Sequence, residues 1–352
     1  MTKMRSATHV GSVWPGLKPP RTRQATAQAQ PNIALIKYWG KRNAALNLPA
    51  TGSLSVTLDS LWTRTQVRFD AALAHDELRL NGVENPAGFA RVSACLDLLR
   101  QRVGLDRYAS VITENNFPTA AGLASSASGF AALVLAASRA LELKLEPREL
   151  SVLARRGSGS AARSIFGGFV EMTVGERDDG EDAYATPLLA AAEWPLRVAV
   201  AVTSSSTKSI GSSTGMELSQ RTSPFYEAWI ASAAKDLTTA RRAVLARDFG
   251  MLAAVSEHNC LKMHAVMMTT QPGLIYWNAA TVECLHRIRK LREHEGLGTF
   301  FTVDAGPQVK AVCLPGDAQH VVVALRELPG VEKVLLSSLG EGARVIETGS
   351  TV

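Results

Sequence analysis

The 352-residue chain predicts a protein of the α+β class with mixed or antiparallel sheets. Runs typical of strands are mixed with runs typical of helices, and the two kinds do not alternate strictly along the chain. The length suits one large or two moderate domains, and the 46% hydrophobic content is enough for a sizeable core. These observations favour α+β layers over a doubly wound parallel sheet.

Strands are predicted where short runs are apolar or alternate between polar and apolar residues. In the first part of the chain such runs occupy 31–38, 53–58, 65–69, 78–83, 108–114, 167–174 and 196–203. Asn81 and Gly82 form a pair typical of a tight hairpin. Helical spacing of apolar residues predicts helices over 86–103, 130–142 and 147–156.

A polar loop at 204–213 is the expected boundary between two lobes. We expect an N-terminal lobe over 25–205 and a C-terminal lobe over 206–352. Beyond the loop the sequence predicts helices over 225–246, 248–261, 277–294 and 320–328. It predicts strands over 299–303 and 310–314, and two more over 331–336 and 342–347 that close the sheet.

Charge and composition limit the classes of function. The net charge is +6, and eight Lys and Arg but no acidic residue precede Asp59. This bias suits a small polyanionic substrate, whereas the absence of basic stretches interleaved with aromatics disfavours nucleic acid. Residues 1–24 contain three prolines and no continuous apolar core, so they predict a flexible basic arm and not a secretory signal. Their composition leaves a transit peptide open.

The remaining composition predicts a soluble cytoplasmic protein with no membrane partner. No apolar run reaches the ~18–20 residues of a membrane-spanning helix. The four cysteines have no C-x-x-C spacing, which argues against a zinc site or a disulfide framework and favours reduced thiols. His258 and His264 lie six residues apart on a predicted helix and therefore on different faces, so they do not predict a metal pair.

The segment 115–129, NNFPTAAGLASSASG, is the most informative in the chain. Gly122 and the small neighbouring residues let the backbone approach a ligand closely. Ser125, Ser126 and Ser128 stand where the next helix begins, and a helix N-terminus attracts anions. The segment predicts a phosphate cradle, with an ordinary N-cap on a tightly packed helix as the alternative. It has neither the Walker A lysine nor the G-x-G-x-x-G spacing.

Three further clusters could carry chemistry. Residues 37–42, KYWGKR, place three cations and two aromatics at a strand end, where they could hold phosphate or form a solvated basic turn. Arg163 follows the small-residue turn GSGSAA and could bind a carboxylate or phosphate, or lie on the surface of the next helix. Asp304 ends an apolar strand beside Gly-Pro and could act as a base, bind a cation or cap the turn.

In this order, five stretches resemble a single family: PNIALIKYWGKR, NNFPTAAGLASSASGFAAL, GSGSAARSIFGGFVEM, SSTGMELSQRTSPFY and VDAGPQVKAV. They are similar to the diphosphomevalonate decarboxylases, members of the superfamily of galactokinase, homoserine kinase, mevalonate kinase and phosphomevalonate kinase. The resemblance runs from about Ala27 to about Val312. It implies a two-lobed fold of that kinase type with a deep active-site cleft between the lobes.

The resemblance also implies a reaction. ATP, with Mg²⁺ held mainly by phosphates and waters, phosphorylates the tertiary 3-hydroxyl of 5-diphosphomevalonate. The 3-phosphate then leaves as the C1 carboxylate departs as CO₂, which gives isopentenyl diphosphate, ADP and phosphate. A decarboxylase of the 5-monophosphate is the alternative, and a mevalonate 3-kinase or a non-catalytic homologue ranks below it. Relatives are commonly homodimers.

Matched motif by motif, the resemblance assigns roles to individual residues. Asp304 corresponds to the catalytic aspartate, Arg163 to the arginine on the C1 carboxylate, and Lys37 to a lysine near the reacting oxygens. The substrate-binding positions correspond to Tyr38, Lys41, Ser158, Ser160 and Ser212. The ATP-phosphate loop corresponds to Gly122, Ala124, Ser125, Ser126 and Ser128. The resemblance supplies no specific metal ligand.

The sequence departs from the family pattern at three places. Asn43 stands where an acidic residue commonly follows KYWGKR, and Gln308 replaces the Asn of DAGPN. Residues 50–52, ATG, replace a stretch that usually contains Asn and Ser. Because this third change is expected near the substrate, it bears on the choice between the monophosphate and the diphosphate.

Overall fold

The computed structural model describes residues 23–117, 125–206 and 208–346. The strands in these ranges are β1 (Arg23–Ala29), β2 (Asn32–Ile36), β3 (Lys41–Asn43), β4 (Leu48–Pro49), β5 (Ser53–Thr57), β6 (Thr63–Asp70), β7 (Glu77–Leu80), β8 (Val83–Glu84), β9 (Tyr108–Asn115), β10 (Phe169–Met172), β11 (Ala185–Leu189), β12 (Arg197–Val202), β13 (Thr299–Val303), β14 (Val309–Cys313), β15 (Lys333–Ser338) and β16 (Arg344–Ile346). The α-helices are α1 (Pro86–Val103), α2 (Ser125–Ala140), α3 (Pro147–Gly157), α4 (Ser212–Thr222), α5 (Tyr226–Ala246), α6 (Phe249–Met268), α7 (Ala279–Glu293) and α8 (Ala318–Arg326). The mixture confirms the α+β class.

The first sheet has six strands in the order β16-β1-β6-β9-β7-β8. Its pairings are antiparallel except for the parallel contact of β7 with β9. The helix α2 packs on β1 and β6, and α1 and α3 pack beside it. Small side chains such as Ala131, Ala132 and Ala136 are completely buried and let α2 lie close to the sheet.

Two further sheets meet in the second core. One has the order β11-β10-β5-β2, and the other has the order β13-β14-β12-β15. Leu54 and Val56 from the first of these share an apolar cluster with Val198, Val200 and Phe300 from the second. The helices α5 and α6 pack on the same cluster. The end of β2 therefore lies in this core with Phe300 of β13, whereas Val303 at the end of β13 belongs to a neighbouring cluster with Ala201 and Val309.

Helix α1 shows how local sequence sets an element. Asn85 caps the helix by accepting the Gly88 N–H at 3.1 Å, and Pro86 occupies the first turn. Gly104 ends it in the left-handed conformation, with φ of 61°. These signals lie in the sequence itself, and the predicted bounds 86–103 are confirmed.

Other elements differ from the prediction. β1, β11 and α4 were not predicted, and the turn at 157–163 continues into a short 3-10 helix, Gly159–Ile165. By sheet membership β12 belongs with the C-terminal strands, although the expected boundary lay after residue 205. β16, which was expected to close the same sheet as β15, pairs instead with β1 in the first sheet.

The cysteines Cys95, Cys260, Cys284 and Cys313 are all buried and unbridged. Throughout the described ranges, every helix is too short or too polar to cross a lipid bilayer.

Candidate active site

A cavity of about 690 Å³ lies where the end of β2, the N-terminus of α2, the 3-10 helix, the start of α4 and the end of β13 converge. It brings together most of the site residues expected from the sequence: Lys37, Tyr38, Lys41, Ser126, Ser158, Ser160, Arg163, Ser212 and Asp304. Residues far apart in the chain therefore face one shared space.

Asp304, just after β13, is held between two lysines. Lys37 Nζ donates to Asp304 Oδ1 at 2.8 Å, and Lys310 Nζ lies 3.0 Å from Oδ2. Both lysines are buried, whereas 27% of the Asp304 side chain is exposed. Burial alone would raise the pKa of Asp304, but the two ammonium groups outweigh it and hold the pKa well below its usual range. The carboxylate is therefore ionised at neutral pH.

Lys37 is fixed by both its backbone and its side chain. Its Nζ also donates to the carbonyl of Ala34 at 2.8 Å, and its backbone N–H donates to Asn259 Oδ1 at 2.8 Å. Asn259 in turn donates to Asp236 at 2.7 Å. Helix α6 thus positions Lys37 beside Asp304.

Arg163 is a buried guanidinium, 2% exposed, on the 3-10 helix. Its Nε donates to Asn32 Oδ1 at 3.2 Å and Ser55 Oγ at 3.1 Å, and Nη1 donates to Ser53 Oγ at 2.6 Å. Burial lowers the pKa of Arg163 to about 10, so it stays charged at neutral pH. No carboxylate in the described ranges forms an ion pair with it, which leaves this cation suited to an anionic ligand.

The segment after β2 is anchored by its aromatic residues. The indole of Trp39 donates to Ser219 Oγ at 3.0 Å, and Trp229 donates to the carbonyl of Trp39 at 2.9 Å. The Tyr38 hydroxyl is buried and has no hydrogen-bond partner among the described residues, and burial raises its pKa to about 12. A Cβ at Gly159 would lie 2.3 Å from this hydroxyl, so only glycine fits beside it.

Three serine hydroxyls join the 3-10 helix to the start of α2. Ser158 Oγ donates to Ser126 Oγ at 3.3 Å and lies 3.3 Å from Ser160 Oγ. The first turn of α2 contains no acidic residue among the residues described. This arrangement provides hydroxyl groups and a helix N-terminus on one wall of the cavity.

The opposite wall is formed by the loop before α4 and the start of that helix. Ser212 begins α4, and Lys41 Nζ donates to the neighbouring Ser213 at 3.4 Å. Lys208 lies 5.5 Å from the centre of the Tyr276 ring. Burial, reinforced by Lys310 and partly offset by Asp304, lowers the pKa of Lys208 to about 8.

Some expected residues lie elsewhere. Ser128 is fully buried with its Oγ 2.6 Å from Thr63 Oγ, so its hydroxyl faces the core and not the cavity. Ser125 begins α2 but does not line the cavity. Gly122 and Ala124, expected in the ATP-phosphate loop, lie outside the described residues.

Sequence reasoning missed Lys310 and Lys208. Lys310 lies in the apolar strand β14 between Val309 and Ala311, a pattern that predicts an exposed lysine, although its partner Asp304 is only six residues away. Lys208 lies in a polar loop, which the sequence presents as solvated.

The departures from the family pattern have structural explanations. Asn43 Oδ1 accepts the Leu46 N–H at 3.0 Å, a turn contact that a carboxylate could equally make. Gln308 accepts the Thr203 N–H at 2.6 Å and donates to the carbonyl of Ser204 at 2.5 Å, so it ties the end of β12 to the Asp304 turn. Thr51 and Gly52 do not line the cavity, contrary to the expectation that they lie near the substrate.

The cavity is strongly basic. Its described walls carry one carboxylate, Asp304, and the cations Lys37, Lys41, Arg91, Arg156, Arg163 and Lys208. A site with this excess of positive charge suits polyanions, such as a nucleoside triphosphate beside a phosphorylated acid. The described residues contain no group of three His, Cys, Asp or Glu that could hold a metal ion.

The sequence matches two family models: the diphosphomevalonate decarboxylase-like N-terminal domain over residues 29–185 and the mevalonate 5-diphosphate decarboxylase C-terminal domain over residues 198–345. The diphosphomevalonate decarboxylase of Gibberella zeae is 37% identical, over 93% of this chain and 95% of the relative. The human diphosphomevalonate decarboxylase is 38% identical, over 85% of this chain and 79% of the relative.

Solved structures show the same fold. A structure described as MDDEF in complex with MVAPP, AMPPCP and magnesium has a TM-score of 0.87 and 38% identity, over 93% of this chain and all of the other. The mevalonate diphosphate decarboxylase of Staphylococcus aureus also has a TM-score of 0.87, with 37% identity over 93% of this chain and 99% of the other.

The fold and the basic cleft define an ATP-dependent enzyme of the galactokinase and mevalonate kinase type that acts on a small molecule. Within that class, the chain belongs to the diphosphomevalonate decarboxylase family.

Proposed function

We propose that this cleft catalyses the ATP-dependent decarboxylation of 5-diphosphomevalonate to isopentenyl diphosphate, with release of ADP, phosphate and CO₂. The observation that carries the proposal is the placement of Asp304 and Arg163 on one cavity, with the ionised carboxylate and the unpaired guanidinium facing the same space. An alcohol and a carboxylate of one substrate can thus be held at the same time.

Asp304 orients the alcohol. Because the lysines hold its pKa low, the carboxylate is a weak base and a good hydrogen-bond acceptor. It aims the 3-hydroxyl oxygen at the γ-phosphorus and takes the proton as the new P–O bond forms. Lys37, which donates to Asp304 and also lines the cavity, neutralises negative charge on the reacting oxygens.

Arg163 acts in the second half of the reaction. Phosphorylation turns the tertiary hydroxyl into a good leaving group, and its departure leaves positive character at C3. The electrons of the C1–C2 bond then form the C2–C3 double bond, and C1 leaves as CO₂. Arg163, fixed by Ser53, Ser55 and Asn32, holds the C1 carboxylate so that the breaking bond stays aligned with C3.

The remaining residues hold phosphates. Ser126 at the start of α2 contributes to the ATP-phosphate site, and Mg²⁺ bound with ATP supplies charge neutralisation there. Ser158, Ser160, Lys41 and Ser212 face the 5-diphosphate, and the Tyr38 hydroxyl gains a substrate oxygen as its partner. Each role follows from a polar group on the cavity wall.

The test is product analysis with purified protein, MgATP and either 5-diphosphomevalonate or 5-phosphomevalonate. We expect equimolar CO₂ and ADP from the diphosphate. CO₂ from the monophosphate alone would shift the substrate assignment, and ADP without CO₂ would replace the decarboxylase by a kinase.

We also propose that the enzyme works in the cytoplasm as a homodimer. Four buried, unbridged thiols suit a reducing compartment. Light scattering coupled to size exclusion measures the oligomeric state, and a mass of one chain would contradict the dimer.

A further inference from the structure

The Asp304 carboxylate has a second cation behind it, which is given no separate role in the reaction described above. Lys310 lies on β14 and is 0% exposed, and it is absent from the cavity wall. Lys37, by contrast, lines the cavity. The two lysines contact different oxygens of one carboxylate, Lys37 at Oδ1 and Lys310 at Oδ2. Their positions therefore suit different tasks.

We propose that Lys310 is a positioning residue for the decarboxylase: it fixes and neutralises Asp304 from the core side and so leaves Lys37 available to the reacting oxygens. The inference rests on the proposed function. With Lys37 alone, the same ammonium would have to balance Asp304 and the charge that develops during phosphoryl transfer. A permanent partner behind the carboxylate separates these two demands.

The backbone supports this division of roles. Thr302 and Lys310 are paired in the β13–β14 register, and β14 also pairs with β12, so Lys310 comes from a strand bonded on both sides. Lys37 comes from the end of β2, where regular pairing with β5 stops. The cation at Oδ2 is therefore on the more rigid support.

Other charged groups near Asp304 do not replace Lys310. Arg163 on the 3-10 helix and Lys208 in the loop before α4 both interact with Asp304 across the cavity. On α6, His264 is neutral because burial lowers its pKa to about 3, and burial raises the pKa of the Cys260 thiol. Lys310 thus supplies the positive charge on the buried side of the carboxylate.

Removing Lys310 leaves burial to act on Asp304 with less opposition, so the pKa of Asp304 rises. The Lys310→Met variant should have a kcat at least about tenfold below wild type at pH 7.5, with the KM for ATP within about twofold. The ratio of the Lys310→Met kcat to the wild-type kcat should fall further as the pH decreases, because a smaller fraction of Asp304 is ionised in the variant. Using the ratio cancels the titration of substrate phosphates.

The conservative variant and a double-mutant cycle separate positioning from mere stability. Lys310→Arg keeps the cation and should restore most of the kcat ratio at low pH. In an Asp304→Asn background, adding Lys310→Met should change the residual rate less than about twofold, since the carboxylate it serves is gone. If Lys310→Met is insoluble, Lys310→Gln replaces it in both arms.

Arg241→Met is the matched control, because it removes the cation from the buried carboxylate of Glu171 away from the cavity. It should lower stability and leave the pH dependence of kcat unchanged. The inference would be overturned if Lys310→Met had the wild-type kcat and if the ratio of its kcat to the wild-type kcat did not change with pH. Failure of the wild-type enzyme to release CO₂ would instead overturn the proposed function.

Discussion

Two aspartates with lowered pKa values, Asp76 and Asp304, lie in different surroundings. Asp76 accepts two hydrogen bonds from Arg100, at 2.7 and 2.9 Å, and one from the Ala109 N–H at 2.8 Å, besides a short one from Ser93. Its side chain is 2% exposed, against 27% for Asp304. Burial opposes ionisation of both, yet their partners lower both pKa values.

The comparison teaches that a lowered pKa does not identify a catalytic carboxylate. Asp76 is surrounded by groups that join the loop before β7 to α1 and β9, and it has no open side. Asp304 is held by two lysines and faces a cavity rich in cations. What distinguishes the two is whether the surrounding groups leave room for another molecule.

The largest effect should come from Asp304→Asn. Turnover should fall by at least about a hundredfold, since orienting or base roles contribute on the order of 10²–10⁴. The measurement is CO₂ release at saturating substrate, with nucleotide affinity by calorimetry as the internal control. Near wild-type release would remove Asp304 from the mechanism and break the comparison.

Asp76→Asn should instead lower the stability of the fold and leave turnover nearly unchanged. Breaking a buried ion pair costs about 3 kcal/mol of unfolding free energy, because Arg100 loses its buried partner and keeps only the exposed Asp97. Urea denaturation measures this loss, and kcat per folded molecule should stay within about twofold of wild type. A hundredfold drop in kcat with normal stability would assign Asp76 a role in the reaction.

Arg163→Gln tests whether a cation on the cavity wall, rather than a carboxylate, is needed to bind the phosphorylated acid. Loss of the unpaired guanidinium should raise the KM for the phosphorylated acid and lower kcat, together by roughly tenfold or more in kcat/KM. ATP affinity should change little, and both are measured in the same coupled assay. Equal losses for the two substrates would indicate a general disturbance of the fold.

The smallest effect should appear in the pH dependence of stability. Because the folded-state pKa of Asp76 is lowered, its stabilisation is fully present above the unfolded value of about 3.9 and is lost as the pH falls through the folded value. The stability gap between wild type and Asp76→Asn should therefore shrink below about pH 4. Chemical denaturation at several pH values tests this, and a gap that widens towards acid would contradict it.

Local signals explain which elements the sequence predicted. α1 carries its own cap, proline and terminal glycine, and its bounds were found. α4 lacks apolar periodicity in SSTGMELSQRT and was missed, because its stability depends on contacts such as that of Trp39 with Ser219. A strand was predicted at the position of β16, but its partner was not. The strand is only three residues long, and its partner β1 lies more than 300 positions away in the chain.

The difference between local signals and contacts formed only in the fold also applies to the candidate active site. Lys37, Arg163 and Asp304 were predicted as site residues because each lies in an unusual local motif. Lys310 was not, because a lysine in an apolar strand indicates an exposed edge, and no local pattern marks Asp304 as its partner. Ser128 shows the opposite case: a hydroxyl in the right motif that pairs with Thr63 in the core.

The pairing of β16 with β1 has a consequence for biosynthesis. One edge of β1 pairs with β6, and among the described residues the other edge pairs with β16, Arg344–Ile346. During translation the first sheet therefore presents an uncovered edge until residue 346 has left the ribosome, and such edges invite pairing between chains. Chaperone protection of the nascent polypeptide therefore matters during the time between the synthesis of β1 and the synthesis of β16.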